Sequence, residues 1–453
     1  MSISDRAMVE LKPQAGSNPK LDMAIMTAVR DMYDQASNPN GYIFCSIAEN
    51  KLCYDLLKPK LEHDPNLSQL LANYSMFGGM ACFKKSITTM LENYVFKCAA
   101  GEVSPNHLLV GAGTTCLLEA LFFGLFEPED YVMIPSPMYQ AFVTDARVRA
   151  RVKVLPVSMT SIDSANGDIS FRLSVAEFEK VYAHAVATGA KVKGVLLCSP
   201  NNPTGTIFGH EELLSIVDFC KEKQIHLISD EIYSLSMFSD KPFTSIYQVL
   251  AGALGDSVHI VSGFSKDFCV NGYRAGYVYT QNAKLMHYLM KSSVFFSCSN
   301  PVQSTLKNIL TDQPYLKNYI ETNQSRLKQH YELTTKLLDE NNIPYLKSES
   351  GMYLMLDLRR VMKDITFESE IKVWEEIFDN AKVLINPGKT CMFDQPGFYR
   401  FIFTQPEPVL RLAIERIAKV YNNLLNQNIE KLYISTGQIN TCRLFKRKEF
   451  KME

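Results

Sequence analysis

Residues 192–205 read VKGVLLCSPNNPTG, an apolar run that stops at a cluster of Ser, Pro, Asn and Gly residues. An uninterrupted run of β-branched and apolar residues before turn formers is typical of a strand that is buried on both faces. The stretch 211–222 then predicts a helix, and the next apolar run, 225–229, predicts a second strand. This strand–helix–strand order favours a parallel sheet.

The same alternation continues on both sides of this stretch, where short apolar runs are separated by longer amphipathic ones. The runs predict strands at 108–110, 131–134, 258–261 and 275–279. Strands that alternate with helices build a mostly parallel sheet that is covered by helices. We therefore expect an α/β fold for this part of the chain.

The pattern changes after about residue 310, where a long amphipathic helix is followed by two short strand-like runs and one further helix. We expect a smaller α+β domain built from residues 21–60 and 310–425, beside a large domain formed by residues 61–309. The chain ends are predicted to be a flexible arm at 1–20 and a tail at 426–453, whose basic residues are read as solvated.

Composition and charge narrow the classes of function. Apolar residues make up 46% and charged residues 21% of the chain, which excludes a mainly disordered protein. The 47 Lys and Arg balance the 48 Asp and Glu, so no electrostatic field favours a nucleic-acid partner. Apolar runs are too short for a membrane span, and residues 1–6 lack the apolar core of a signal peptide. The 11 cysteines include no Cys-x-x-Cys pair, so we expect reduced thiols, no metal site and a cytoplasmic protein.

Polar residues gather where the predicted strands end. The segments that follow these ends are 111–115, 135–139, 199–205, 230–233 and 262–266. Ligands of open α/β sheets bind outside the carboxyl ends of the strands. The five segments therefore predict one ligand site.

Four charged residues near these ends are candidates for its chemistry. Lys266 could form a Schiff base if partial dehydration lowers the pKa of its amine, although most lysines are solvated surface charges. Asp230 ends a strand, either as the buried partner of a cation or as a helix cap. Arg274 could clamp a phosphate or brace a loop, and Arg400 could bind a carboxylate or form a structural ion pair.

The segment 111–116 (GAGTTC) resembles part of a dinucleotide fingerprint but lacks its third glycine. A glycine turn that opens a helix presents backbone N–H groups to an anion, while the alternative is a tight strand-to-helix turn. A lysine for a Schiff base, a carboxylate for a pyridinium nitrogen, and an arginine with backbone amides for a phosphate are the groups that pyridoxal phosphate requires.

Several motifs resemble the signatures of the class I aminotransferases, which are pyridoxal-phosphate enzymes of fold type I. Within that group the chain is most similar to the 1-aminocyclopropane-1-carboxylate synthases and their synthase-like relatives, over about residues 40–423. The resemblance implies a large domain with a mostly parallel seven-stranded sheet flanked by helices, plus a smaller α+β domain. The motifs are 199–205 (SPNNPTG), 230–233 (DEIY), 265–267 (SKD) and 272–274 (GYR), with 47–50 (IAEN), 264–268 (FSKDF) and 397–400 (GFYR) marking the synthases.

The resemblance implies a role for each matching residue. Lys266 would carry the cofactor and move the substrate's Cα proton, and Asp230 would pair with the pyridinium nitrogen. Arg400 would bind the substrate's α-carboxylate, with Glu49 near the substrate. The Asn202–Pro203 bond is expected to be cis. The other cofactor contacts would come from Asn202 and Tyr233 at the ring hydroxyl, Tyr139 at the ring face, and Gly113, Thr114, Ser265 and Arg274 at the phosphate.

Two positions depart from the family pattern. Gly263 stands where the family has a phosphate-binding serine, and Phe77 where it has a tyrosine that reaches the phosphate across a dimer interface. Each missing donor to a charged group costs roughly 1.5–3 kcal/mol if nothing replaces it.

The resemblance predicts a homodimeric enzyme that acts on an α-amino acid, with S-adenosylmethionine the leading candidate and cyclopropane ring closure the leading reaction. An aminotransferase is the alternative, because both reactions begin with removal of the same proton. A cofactor-binding interaction protein without full activity is a third hypothesis, against which the intact Lys266, Asp230 and Arg400 argue. A nicotinamide dehydrogenase is the fourth.

Overall fold

The computed structural model describes residues 19–62, 71, 73–162 and 169–436. In chain order, the strands in these ranges are β1 (Ile43–Phe44), β2 (Leu108–Gly111), β3 (Tyr131–Ser136), β4 (Lys153–Ser158), β5 (Thr160–Ile162), β6 (Ile169–Phe171), β7 (Val192–Cys198), β8 (His226–Asp230), β9 (Val258–Gly263), β10 (Gly276–Thr280), β11 (Tyr345–Leu346), β12 (Tyr353–Asp357), β13 (Val383–Leu384), β14 (Asn386–Pro387) and β15 (Phe398–Ile402).

The helices in the same ranges alternate with these strands in the first two thirds of the chain and dominate the last third. They are α1 (Pro19–Arg30), α2 (Tyr54–Glu62), α3 (Ala81–Met90), α4 (Thr114–Leu125), α5 (Ala141–Arg147), α6 (Val175–Ala187), α7 (His210–Lys223), α8 (Ile246–Val249), α9 (Ala283–Ser292), α10 (Asn300–Thr311), α11 (Gln313–Glu340), α12 (Phe367–Glu376) and α13 (Glu407–Thr436).

A seven-stranded sheet forms the centre of the large domain, in the order β2-β10-β9-β8-β7-β3-β4. The five strands from β9 to β4 pair in parallel, whereas β10 is antiparallel to both of its neighbours, β9 and β2. The predicted α/β fold with a mostly parallel seven-stranded sheet is confirmed.

Alternate side chains of β7 enter two different cores. Val195 and Leu197 belong to a core that includes the apolar face of α7, whereas Leu196 belongs to one that includes the apolar face of α4. Successive side chains of a strand point to opposite faces of the sheet, so helices cover both faces. This double burial is why the strand is apolar in the sequence apart from the exposed Lys193.

The smaller domain is built on the antiparallel sheet β11-β12-β15-β14. Its core includes Leu21 and Ala24 of α1, and β1 pairs with β13. We therefore infer that the N-terminal segment belongs with the smaller domain. Cys53 and Leu57 lie in the core of the large domain instead, so this inferred division falls before α2 rather than at residue 60.

The last helix, α13, continues to Thr436, past residue 426 where a tail was predicted to begin. Its apolar face, from Leu410 through Ile417 to the partly buried Leu424 and Leu425, packs against the smaller domain's core. Of the predicted arm at 1–20, only residues 19 and 20 lie in the described ranges. The basic residues 443–448 lie outside them. No helix in the described part of the chain has the length and apolar character needed to cross a membrane.

Candidate active site

A cavity of about 250 Å³ opens at the carboxyl ends of the large sheet's strands. Each of the five predicted polar segments contributes to its wall, through Thr114, Tyr139, Asn202, Asp230 and Lys266 respectively. The expectation that these strand ends form one site is met by the geometry. The rest of the wall comes from Ser46, Ile47, Ala48, Thr115, Leu118, Gln140, Phe142, Asp145, Cys198, Ile232, Tyr233, Ser265, Asn271, Arg274 and Arg400.

Lys266 follows β9, and its amine reaches across the cavity to the segment after β1. The Nζ atom donates a hydrogen bond to the backbone carbonyl of Ala48, 2.8 Å away. Burial, with repulsion from Arg400, lowers the pKa of the Lys266 amine to about 8. The amine is therefore partly neutral near physiological pH, as a nucleophile or proton acceptor must be.

Asp230 is the last residue of β8 and is only 4% exposed. Its Oδ1 accepts a hydrogen bond from the backbone N–H of Ile232 at 3.2 Å. Burial raises the pKa of the Asp230 carboxyl to about 7, because the charged form has lost its hydration. A cation placed beside this carboxylate would restore the ionised state, and a protonated pyridine nitrogen is such a cation.

Arg400 lies in β15, between the buried Tyr399 and Phe401, and points toward the large sheet. Its Nη1 donates to Asn202 Oδ1 at 2.9 Å and its Nη2 to the carbonyl of Ser46 at 2.8 Å. The Nε atom is buried and has no hydrogen-bond partner among the described residues. The guanidinium is thus held in place and can bind a carboxylate by donating hydrogen bonds to it.

Asn202 and Tyr233 form a polar pair at the same end of the cavity. Asn202 Nδ2 donates to the Tyr233 hydroxyl at 3.4 Å. The bond between Asn202 and Pro203 is cis, as the resemblance implies. Both residues are buried, so their remaining hydrogen-bonding capacity faces the cavity, where a ring hydroxyl could use it.

The turn before α4 has the features of an anion site. Gly113, the residue before the helix, has a φ of 93°, and a Cβ there would lie 2.7 Å from Nη2 of Arg274. Glycine is therefore needed both for the backbone conformation and for the close approach of the guanidinium. The Thr114 hydroxyl is buried without a hydrogen-bond partner in the described ranges, and Ser265 lines the wall nearby. A helix N-terminus with these donors fits a phosphate.

The glycine at position 263 is explained by packing. A Cβ there would lie 2.9 Å from the carbonyl oxygen of Ala275 and 3.0 Å from the hydroxyl oxygen of Thr114. The Thr114 hydroxyl therefore fills the space that a serine side chain would enter, and it offers a donor at nearly the same place. Nothing comparable explains Phe77, whose side chain is 40% exposed and whose ring centroid lies 6.3 Å from that of Tyr74.

Glu49 differs from the other predicted site residues. Its side chain is exposed and does not line the cavity, although Ile47 and Ala48 of the same segment do. The negative charge of Glu49 still acts on Lys266, opposing the fall in the amine's pKa. The residue therefore lies at the cavity's rim rather than in its wall.

Sequence reasoning missed two kinds of group in the cavity wall. The carbonyls of Ser46 and Ala48 receive hydrogen bonds from Arg400 and Lys266, which no side-chain pattern could reveal. Asp145 is the second kind: a buried carboxylate on α5 whose only sequence signal is an acidic residue inside the apolar run 141–146.

These groups together fit pyridoxal phosphate. The buried carboxyl of Asp230 suits the ring nitrogen, Lys266 suits the aldehyde, and the unpartnered Thr114 hydroxyl with Arg274 suits the phosphate. No group of three or more His, Cys, Asp or Glu side chains in the described ranges is placed to hold a metal ion. The fold and the site define a pyridoxal-phosphate enzyme of fold type I.

Comparison with known proteins gives the family. Residues 45–417 match the family model of the class I and II aminotransferases. The chain is 34% identical over 409 residues to 1-aminocyclopropane-1-carboxylate synthase 8 of Arabidopsis thaliana, covering 86% of this chain and 85% of the relative. It is 33% identical over 408 residues to 1-aminocyclopropane-1-carboxylate synthase of Malus domestica, covering 86% and 84%. The chain belongs to the class I and II aminotransferase family, and it is a pyridoxal-phosphate-dependent enzyme.

Solved structures show the same fold at lower sequence identity. A double mutant of Thermus thermophilus aspartate aminotransferase matches with a TM-score of 0.75 and 20% identity, covering 93% of this chain and 100% of the other. The aromatic aminotransferase from Pyrococcus horikoshii matches with a TM-score of 0.71 and 21% identity, covering 89% and 99%.

Proposed function

We propose that the protein closes a cyclopropane ring on an α-amino acid, in the manner of a 1-aminocyclopropane-1-carboxylate synthase, with S-adenosylmethionine as substrate. The observation that carries action on an α-amino acid is the convergence of Lys266 and Arg400 on two carbonyls of one segment, those of Ala48 and Ser46. This arrangement sets a base and a carboxylate receptor side by side. Similarity to the synthases over 86% of the chain supports the choice of reaction.

Arg400 would bind the α-carboxylate of the substrate. Its guanidinium is fixed by Asn202 and Ser46, so little side-chain entropy is lost when a carboxylate binds. When bound, the cofactor supplies an electron sink for the negative charge that develops at Cα. The pKa of Lys266, about 8, suits an amine that takes the Cα proton near neutral pH.

The proposed reaction balances without a further reactant. Lys266 Nζ takes the proton from Cα, and the electron pair left on Cα forms the bond to Cγ. The bond from Cγ to the sulfonium sulfur breaks, and methylthioadenosine leaves with that electron pair. Ring closure therefore requires the Cγ–S bond to be held in line with Cα, a positioning effect that can lower the barrier by several kcal/mol.

An aminotransferase is the second candidate. The observation that favours it is the position of Glu49, the residue that the resemblance places near the substrate, at the rim rather than in the wall. In that reaction Lys266 would move the same proton, water would supply the carbonyl oxygen of the 2-oxo acid that leaves, and the amino group would pass by way of the cofactor to a second 2-oxo acid. Every other site residue would keep its role.

We also propose a homodimer with a cytoplasmic location. An exposed apolar surface supports the dimer: Tyr74 is 96% exposed, and Met76, Phe77 and Phe295 are exposed with it. The backbone of Gly78 bonds to β2, which leads directly to the cavity. Light scattering should give twice the 51.3 kDa of one chain, and an active monomer would contradict the proposal.

The cysteines of the described ranges are free thiols, which supports a reducing compartment.

Incubation of the purified holoenzyme with S-adenosylmethionine tests the function, with products read by mass spectrometry. We expect methylthioadenosine and 1-aminocyclopropane-1-carboxylate, and neither product from the Lys266→Ala variant. A parallel series pairs amino acids with 2-oxo acids. If S-adenosylmethionine gives no methylthioadenosine while these pairs are turned over, the aminotransferase takes the place of the synthase.

A further inference from the structure

Asp145 is a buried carboxylate that the reaction described above does not use. It lies on α5, is 8% exposed, and lines the cavity. Its Oδ2 atom is buried and has no hydrogen-bond partner among the described residues. Three other buried carboxylates, Glu231, Asp267 and Glu370, each accept at least two hydrogen bonds from hydroxyl or backbone N–H groups. Asp145 is therefore a polar group that faces the ligand space instead of being satisfied by the fold.

Asp145 shares the cavity wall with charges of both signs: the cations are Lys266, Arg274 and Arg400, and Asp230 is the other acid. Asp230 and Tyr139 share the cavity wall with it, and the negative charge of Asp145 helps to raise the pKa of Asp230. The helix α5 packs against α4 and β4. The other ionisable groups on these elements are Cys116 and Glu119 of α4, Lys153 of β4, and Arg147 on α5 itself.

Two cations on or next to the elements around Asp145 lie beside other acids. Lys153 lies 2.8 Å from Glu129, and Arg149 lies 3.5 Å from Glu119. Burial raises the pKa of the Asp145 carboxyl to about 7. Two carboxylates that share a dehydrated space repel each other, and a further cation placed beside them relieves that repulsion.

We propose that Asp145 is a positioning residue that acts through Asp230, as a second negative charge in the cavity wall that favours a positively charged ring nitrogen in the bound cofactor. A ring that carries this charge is attracted by both carboxylates, whereas an uncharged ring gains nothing from Asp145. The inference rests on cofactor binding alone, so it holds whether ring closure or transamination follows.

Two ligands separate this role from simple packing. Pyridoxal phosphate carries the ring nitrogen, and 1-deazapyridoxal phosphate has a carbon in its place and cannot hold the charge. We expect Asp145→Asn to weaken the binding of pyridoxal phosphate about tenfold, the size of a one-unit change in proton affinity, and to leave the binding of the deaza compound unchanged. Dissociation constants measured on the apoprotein by fluorescence give both values.

Glu119→Gln is the matched control, since Glu119 lies on the adjacent helix, is partly buried, and does not line the cavity. It should change neither dissociation constant. Equal weakening of both ligands by Asp145→Asn would mean that Asp145 only packs, and no weakening of either would mean that its charge is not felt; both results overturn the proposal.

A measurement on the wild-type holoenzyme guards against a variant that does not fold. The ¹⁵N chemical shift of labelled cofactor should report a protonated ring nitrogen, and Asp145→Glu, which keeps the charge, should preserve that shift. An unprotonated nitrogen in the wild type at pH 7 would overturn the proposal without any variant. Failure to convert S-adenosylmethionine would leave these spectra unaffected, so the two proposals fail separately.

Discussion

Replacing Asp230 by asparagine should stabilise the apoprotein above neutral pH and should weaken its binding of the cofactor. The pKa of the Asp230 carboxyl is raised by burial from 3.8 to about 7. Asparagine has nearly the same shape and can still accept the hydrogen bond from Ile232 N–H, but it carries no charge. The substitution therefore removes the cost of a buried ion and little else.

The sign and size of this change in stability follow from the pKa values of the Asp230 carboxyl in the unfolded and in the folded chain. Below about pH 4 the carboxyl is protonated in both the folded and the unfolded chain, so it contributes no penalty. As the pH rises, the unfolded chain ionises first, and stability falls until the pH passes the folded pKa near 7. The loss is then complete, and a shift of about three units corresponds to about 4 kcal/mol at 1.36 kcal/mol per unit.

Urea denaturation of the apoprotein at pH 5 and pH 9 measures this difference, at one fixed protein concentration because the protein is proposed to be a dimer. The unfolded carboxyl is already ionised at pH 5, so only about two pH units remain up to the folded pKa, and Asp230→Asn should lower the difference in unfolding free energy between the two pH values by about 3 kcal/mol relative to wild type. The exposed Asp218 on α7 provides the control, and Asp218→Asn should leave that difference unchanged. If the free energy of unfolding of Asp230→Asn depends on pH as that of the wild type does, Asp230 is not a dehydrated carboxylate that lacks a neighbouring cation, and the reasoning is refuted.

Three further predictions concern the cofactor. Borohydride reduction of the holoenzyme followed by peptide mapping should place the label on Lys266, whose amine has a pKa of about 8, and a label on another lysine would contradict the assignment. Gly113→Ala should weaken cofactor binding about tenfold, or about 1.4 kcal/mol, since the new Cβ would lie 2.7 Å from Nη2 of Arg274 and would displace the guanidinium; unchanged affinity would show that the turn does not hold the phosphate. Phe77→Tyr should tighten binding of the cofactor about tenfold, within the range for a hydrogen bond to a charged group, whereas looser or equal binding would mean that the ring does not reach the phosphate.

The sequence by itself determined the sheet and most of the site. Strands buried on both faces are mostly apolar, so β7 and β9 are visible without any tertiary information although they contain Lys193 and His259. The polar residues that follow them are confined to the carboxyl ends by the same rule, which is why Asp230 and Lys266 could be predicted as neighbours. Local chemistry was enough for these features because each depends on the order of residues along one strand and its turn.

The tertiary structure alone decided features that depend on which distant groups meet. Thr114 supplies a hydroxyl beside Gly263 only because β9 and the start of α4 pack together. Glu49 lies at the rim although its neighbour Ala48 receives the hydrogen bond of Lys266, and a backbone acceptor leaves no trace in composition. Asp145 lines the cavity, with its Oδ2 atom unpartnered among the described residues, because helix α5 places it there; burial and hydration are properties of the folded surface, and a linear pattern does not contain them.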